Sequence, residues 1–176
     1  IIKFDEAYFI NIQDKTFHEI AFDVSRTFIG TDIIPDEDLK IIIETAFNFD
    51  LPLVKVQKDL SVLELFHGPT SAFKDFGARF MANVLGFLQK KNDIKTTIVT
   101  ATSGDTGGAV ASAFHNVKDV NVFILYPKGR VSDFQEKQIA GLCDNIRAIE
   151  INGSFDDCQA MVKACFEDNK FKEDFN

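Results

Sequence analysis

Three short apolar segments, residues 97–101, 121–126 and 146–151, each precede a stretch of helical character at 106–114, 132–142 and 154–168. This alternation restricts the fold more than any other feature of the chain. Strands that run parallel need a crossover, and a helical crossover covers one face of the sheet. The sequence therefore predicts an α/β domain over residues 93–176, with a parallel sheet between layers of helix. Ser132 with Gln135, and Ser154 with Asp157, read as N-terminal caps, although a capping box ordinarily carries Glu or Gln where Asp157 stands. Ligands in such sheets bind beyond the carboxyl ends of the strands. The loops of interest are then 66–73, 102–106, 127–131 and 152–154.

Two regions precede this domain. Residues 1–50 read as mostly helical. Phe17, Ile20, Ala21, Val24 and Phe28 recur at helical spacing until Gly30, and Pro35 opens a second helix with Asp36, Glu37 and Asp38 in its first turn. Ile41, Ile42, Ala46 and Phe47 are the expected apolar face of that helix. Residues 51–92 read as two strands, 53–56 and 62–66, and a helix over 73–90. The expected apolar side of the helix is Phe73, Phe76, Phe80, Val84, Phe87 and Leu88.

Composition narrows the function classes. The formal net charge is −8 over 176 residues, which argues against a nucleic-acid partner, since phosphate backbones are bound by clustered Lys and Arg. A small anion remains possible, because a site's local field can oppose the overall charge. With 19 Phe and no Trp, the core needs few buried hydrogen-bond partners. Cys143, Cys158 and Cys165 form neither a C-x-x-C pair nor an even set, which argues against zinc and a disulfide framework. No apolar run reaches the roughly 18 residues that span a bilayer. A cytoplasmic protein without a membrane partner is expected. The chain begins at Ile1 rather than Met and stops at Asn176 directly after a helix-like stretch, so both ends read as cut.

The most informative segment is His67-Gly68-Pro69-Thr70-Ser71-Ala72-Phe73-Lys74-Asp75-Phe76-Gly77. A strand ends, a Gly-Pro turn follows, and a helix starts near Lys74. Phe73 and Phe76 predict an apolar neighbourhood for the amine. Gly77 and Ala78, three and four residues on, share its side of the helix. Such a small-residue surface leaves room for a flat ring. A free lysine has a pKa of about 10.4, so on the order of one in 10³ is neutral at pH 7. Desolvation would lower that value and let the amine form a Schiff base or transfer protons. The plain alternative is a solvated lysine in a helix packed through its phenyl rings.

Thr102-Ser103-Gly104-Asp105-Thr106-Gly107-Gly108-Ala109 joins a strand to a helix. Amides at a helix start attract anions, and the glycines would permit close approach. The segment is neither a Walker A loop nor G-x-G-x-x-G. Equally, it is a tight turn capped by Asp105 or Thr106, with glycines for packing. Asp105 would repel an anion and would instead cap the helix or accept from a protonated ligand group. Lys128 and Arg130 read as a solvated basic loop, with contact to a phosphate as the alternative, and His67 as a turn residue or an orienting group. His18 and His115 read as structural, and Asp156, Asp157 and Cys158 make no metal set.

These segments together resemble the threonine synthase family. Glu64 to Met81 is similar to its cofactor-lysine segment, and Thr100 to Gly107 to its substrate loop. Tyr126-Pro127-Lys128-Gly129-Arg130, Gln135-Glu136-Lys137, Phe28-Ile29-Gly30 and Phe155-Asp156-Asp157-Cys158 extend the likeness over nearly the whole chain.

The resemblance implies a fold-type II enzyme of the tryptophan synthase β-like type, using pyridoxal 5'-phosphate. Residues 51–92 would belong to its large domain and 93–176 to its small one. It implies a lyase of threonine biosynthesis that turns O-phospho-L-homoserine and water into L-threonine and phosphate. Lys74 would attach the cofactor and move protons at the substrate's Cα and Cβ. Ser103, Gly104, Asp105, Thr106 and Gly107 would hold the substrate carboxylate and face the cofactor ring. Family members are longer at both ends, and their Gly-Asn-Phe-Gly phosphate loop does not occur here. The 176 residues alone are therefore expected to bind cofactor weakly, to show little or no turnover, and to need the C-terminal half as partner. Two other readings stay open: a related phospholyase acting on another phosphorylated amine, or a non-catalytic α/β module that binds small anions.

Overall fold

The computed structural model describes residues 3–175. The chain divides into two compact units, Ile1–Asn48 and Phe49–Asn176.

The first unit contains helices α1 (Glu6–Asn11), α2 (Phe17–Arg26) and α3 (Asp36–Ala46), with a short 3-10 turn, Ile12–Asp14, after α1. Thr16 and Glu19 form a reciprocal capping box that starts α2. α3 follows Pro35 with three acidic residues in its first turn. Its buried face is Leu39, Ile42, Ile43 and Ala46, whereas Ile41 is 60% exposed. This corrects the expected apolar face. Positions i, i+3, i+4 and i+7 share one side of a helix, and Ile41 lies two residues from Leu39, nearly opposite. Phe28 lies beyond the end of α2 and is likewise exposed. Arg26 closes the connection, donating to the carbonyls of Ile29 and Ile34 and pairing with Asp36.

The second unit opens with an antiparallel hairpin, β1 (Leu53–Gln57) and β2 (Leu60–Leu63). β2 stops short of residue 66 because Leu63 already faces Leu53, the first residue of β1 after Pro52. Helix α4 (Lys74–Asn92) follows. The strands β3 (Thr96–Ala101), β4 (Val120–Pro127) and β5 (Ile146–Ile151) then form a parallel sheet in the order β3-β4-β5. Helices α5 (Asp105–Phe114) and α6 (Asp133–Ala140) are its crossovers, and α7 (Phe155–Glu167) and α8 (Asn169–Phe175) close the chain. Both predicted caps form, and the shorter Asp157 side chain still reaches the Ser154 amide at 2.7 Å.

Side chains on β4 alternate between two layers, as strand geometry requires. Val122, Ile124 and Tyr126 pack with α4, α5 and Ile139 of α6. On the other face, Phe123 and Leu125 line an apolar cavity together with Met161, Ala164 and Cys165 of α7. The expected phenyl face of α4 does not describe its buried seam. That seam is Asp75, Ala78, Ala82 and Gln89, while Phe73 is 56% exposed. α4 packs on α5, whose buried residues include Gly107, Gly108, Ala109 and Ala111. Small side chains on both surfaces let the two helices interlock closely. No helix among the described residues is long and apolar enough to cross a membrane.

Candidate active site

The turn before α4 is built around Asp75. Its carboxylate is 1% exposed and accepts from the Thr70 amide at 2.9 Å and the Thr70 hydroxyl at 2.7 Å. A Cβ on Gly68 would lie 2.5 Å from Asp75 Oδ2, so only glycine fits there. Ser71 adopts a left-handed φ of 58°. The chain thereby loops back on the first turn of α4 and leaves Lys74 exposed as that helix's first residue. Its ammonium lies 4.5 Å from the centroid of the Phe73 ring. Gly77 is exposed, and a Cβ built there would meet nothing within 4 Å. Ala78 is 8% exposed and belongs to the core. The surface beside Lys74 is thus open over Gly77, whereas the expected contribution of Ala78 goes to the interior.

The strand–helix turn after β3 is held by Thr102, which is 1% exposed. Its hydroxyl oxygen accepts from the amides of Gly104 (3.0 Å) and Gly107 (2.8 Å), and the hydroxyl donates to the Gly104 carbonyl (3.1 Å). This corrects the expectation that Asp105 or Thr106 caps α5, whose N-cap is Gly104 without a side-chain bond of its own. A short hydroxyl side chain one position beyond a strand is well placed to bond its own following turn, and that signal is readable as a Thr-x-Gly pattern. Among the described residues, the amides of Ser103, Asp105 and Thr106 have no acceptor. The five candidate residues therefore separate into two sets. Ser103 and Asp105 are exposed and Thr106 is half-buried, whereas Gly104 and Gly107 are buried.

The glycines serve packing. A Cβ on Gly107 would lie 2.4 Å from Thr102 Cγ2, and one on Gly108 would lie 2.9 Å from Gln138 Oε1. Gly104, at φ 146°, has its Cβ position filled by Gln135, whose Nε2 donates to Asp105 Oδ1 at 2.7 Å. Gln138 donates to the Thr70 carbonyl at 3.2 Å. The lysine turn and the glycine turn are therefore both tied to α6.

The lesser candidates lie in ordinary pairings. His67 bonds Glu64 at 2.6 Å, and Lys128 pairs with Glu150 at 3.3 Å. His18 bonds the Phe47 carbonyl, and His115 lies 3.4 Å from Asp144. Burial pushes the Cys158 thiol up from its ordinary pKa, while the Ser154 amide and hydroxyl hold the Asp157 carboxyl down. No group of three metal-ligating side chains occurs among the described residues.

The family profile described as "Pyridoxal-phosphate dependent enzyme" matches residues 51–173. The chain belongs to that family. Among its relatives, a threonine synthase of Buchnera aphidicola subsp. Acyrthosiphon pisum is 57% identical over 141 residues, 80% of this chain and 33% of the relative. The crystal structure of threonine synthase from Escherichia coli superposes with a TM-score of 0.89 at 44% identity, covering 98% of this chain and 40% of that one. A threonine synthase from Brucella melitensis, solved with bound PLP, gives a TM-score of 0.85 at 38% identity, covering 97% and 38%. The chain spans about a third of the length of the curated relatives it matches. An exposed lysine beside the open surface of Gly77 fits a flat aldehyde cofactor.

Proposed function

We propose that this chain is the part of a threonine synthase that carries the cofactor lysine and the substrate-carboxylate loop. The whole enzyme then converts O-phospho-L-homoserine and water to L-threonine and phosphate. The observation that carries this reading is Lys74, presented at the start of α4 beside the open surface of Gly77, within the segment that matches the family. The relatives named threonine synthase support the choice of reaction.

Lys74 would attach the cofactor, with Asp105 on the loop that faces the ring. When bound, pyridoxal phosphate supplies the aldehyde and the electron sink for carbanion chemistry. The Lys74 amine would also move protons at the substrate's Cα and Cβ, a task that needs its neutral form. The unpaired amides of Ser103, Asp105 and Thr106 would receive the substrate carboxylate, since amides at a helix start favour anions. Gly104 and Gly107 would shape that loop from behind.

Residues 1–50 would be a helical N-terminal region, 51–92 part of the large domain, and 93–176 the small domain of a fold-type II enzyme. A cytoplasmic location and the absence of nucleic-acid partners belong to the same reading. Turnover is assigned to a polypeptide of the relatives' length, because the Gly-Asn-Phe-Gly loop does not occur in these 176 residues. The test is phosphate release from O-phospho-L-homoserine by that longer polypeptide. Release should occur and vanish in Lys74→Ala. Release that persists would remove Lys74 from the mechanism, and preference for another phosphorylated amine would replace the substrate.

A further inference from the structure

Gln135 and Gln138 lie one turn apart on α6, on the same side of the helix. Neither bond that their amide nitrogens make is local. Gln135 Nε2 donates to Asp105 in the glycine turn, 30 residues away. Gln138 Nε2 donates to the backbone carbonyl of Thr70 in the lysine turn, 68 residues away. Each side chain also fills the space that a glycine leaves: Gln135 at Gly104 and Gln138 at Gly108. The acceptor oxygen of Gln135 is used separately, in the capping box with Ser132 at 3.0 Å.

Resting on the reading that Lys74 and the glycine turn form one site, we infer that Gln135 and Gln138 are positioning residues. They set the lysine turn and the substrate-carboxylate loop relative to each other through a single short helix. A glutamine suits this task because one end can accept within its own helix while the other donates outward. The chain of contacts runs from Gln138 to Thr70, from Thr70 to Asp75, and from Asp75 to the first turn of α4 where Lys74 sits. On the other side it runs from Gln135 to Asp105 and its neighbouring free amides.

Isosteric Glu variants isolate the donor function. Gln135→Glu keeps the oxygen that caps α6 but sets a carboxylate against Asp105. Gln138→Glu sets a carboxylate oxygen against the Thr70 carbonyl. Amide hydrogen exchange would be measured in this chain, and reductive trapping of pyridoxal phosphate on Lys74 in a polypeptide of the relatives' length. Gln138→Glu should speed exchange at Thr70 and Ser71 by about tenfold, as loss of one net hydrogen bond implies, and slow the labelling of Lys74. Gln135→Glu should instead speed exchange at Gly104 and Gly107 and leave exchange at Thr70 and Ser71 close to that of the parent.

Equal acceleration at both turns in both variants, or none in either, would overturn the inference. A helix that merely stabilises the domain predicts the former. If Gln138→Glu fails to fold, Gln138→Leu removes the donor without repulsion and must give the same split. Absence of phosphate release by the longer polypeptide would contradict the proposed function, while the exchange contrast would still decide whether α6 braces the two turns.

Discussion

The lysine turn and the glycine turn solve the same problem with opposite materials. Each folds a tight connection back onto the start of a helix by giving one side chain several bonds to nearby backbone or hydroxyl groups. In the lysine turn the holder is a carboxylate, Asp75, buried among α4 and its own loop. In the glycine turn it is the neutral hydroxyl of Thr102. The consequences differ. The first turn leaves one amine exposed over an empty surface, and the second leaves three amides unpaired while packing its glycines tightly. The same residue type, glycine, thus marks open space at Gly77 and its absence at Gly107.

Removing the charged holder should have the largest effect. Asp75→Ala strands the buried Thr70 amide and hydroxyl, a loss of about 3 kcal/mol by denaturant unfolding, since bonds to charged groups contribute roughly 1.5–3 kcal/mol each before relaxation. Gly107→Ala should follow, at about 2 kcal/mol, because its methyl overlaps Thr102 and Ile139. Thr102→Val keeps the shape and loses the neutral bonds, with an expected cost of about 1–2 kcal/mol. If Thr102→Val proves costlier than Asp75→Ala, the contrast between charged and neutral holders is wrong.

Gly77→Ala should do the reverse of Gly107→Ala. It sits in an exposed helix interior with nothing to strike, so it should stabilise the chain by up to about 1 kcal/mol. Its methyl would also enter the surface beside Lys74 and slow cofactor labelling there. A Gly77→Ala chain that labels as fast as the parent would mean that the open surface is not where the ring lies.

The smallest expected effect is a pH dependence. Burial, then the nearby Glu136 and Glu150, hold the Tyr126 phenol above its ordinary pKa. Its contribution is fully present below the unfolded value of about 10 and is lost as pH rises through the folded one. Melting temperatures should therefore fall above about pH 10, and less so in Tyr126→Phe.

Much of the fold was legible because it rests on local signals. Strand–helix alternation located β3, β4 and β5 to within a residue at each end, and Ser132-Gln135 and Ser154-Asp157 marked two helix starts. What escaped depends on partners far along the chain. The seam of α4 is its small residues because α5 is also small there, and nothing near Ala78 or Ala82 announces that. The glycines of residues 104–108 read equally as approach for a ligand or as packing, since Gln135, Gln138 and Ile139 decide the matter from α6. Lys74 was visible as a candidate. The role of its neighbour Asp75 was not, because a carboxylate in a helix's first turn ordinarily reads as a solvated charge that favours the dipole.

The most direct measurement is the position of the covalent bond. Incubating a polypeptide of the relatives' length with pyridoxal phosphate, reducing with borohydride and mapping the modified peptide by mass spectrometry should place the label on Lys74 ahead of every other lysine. Label spread evenly over the exposed lysines, with no preference for Lys74, would contradict it.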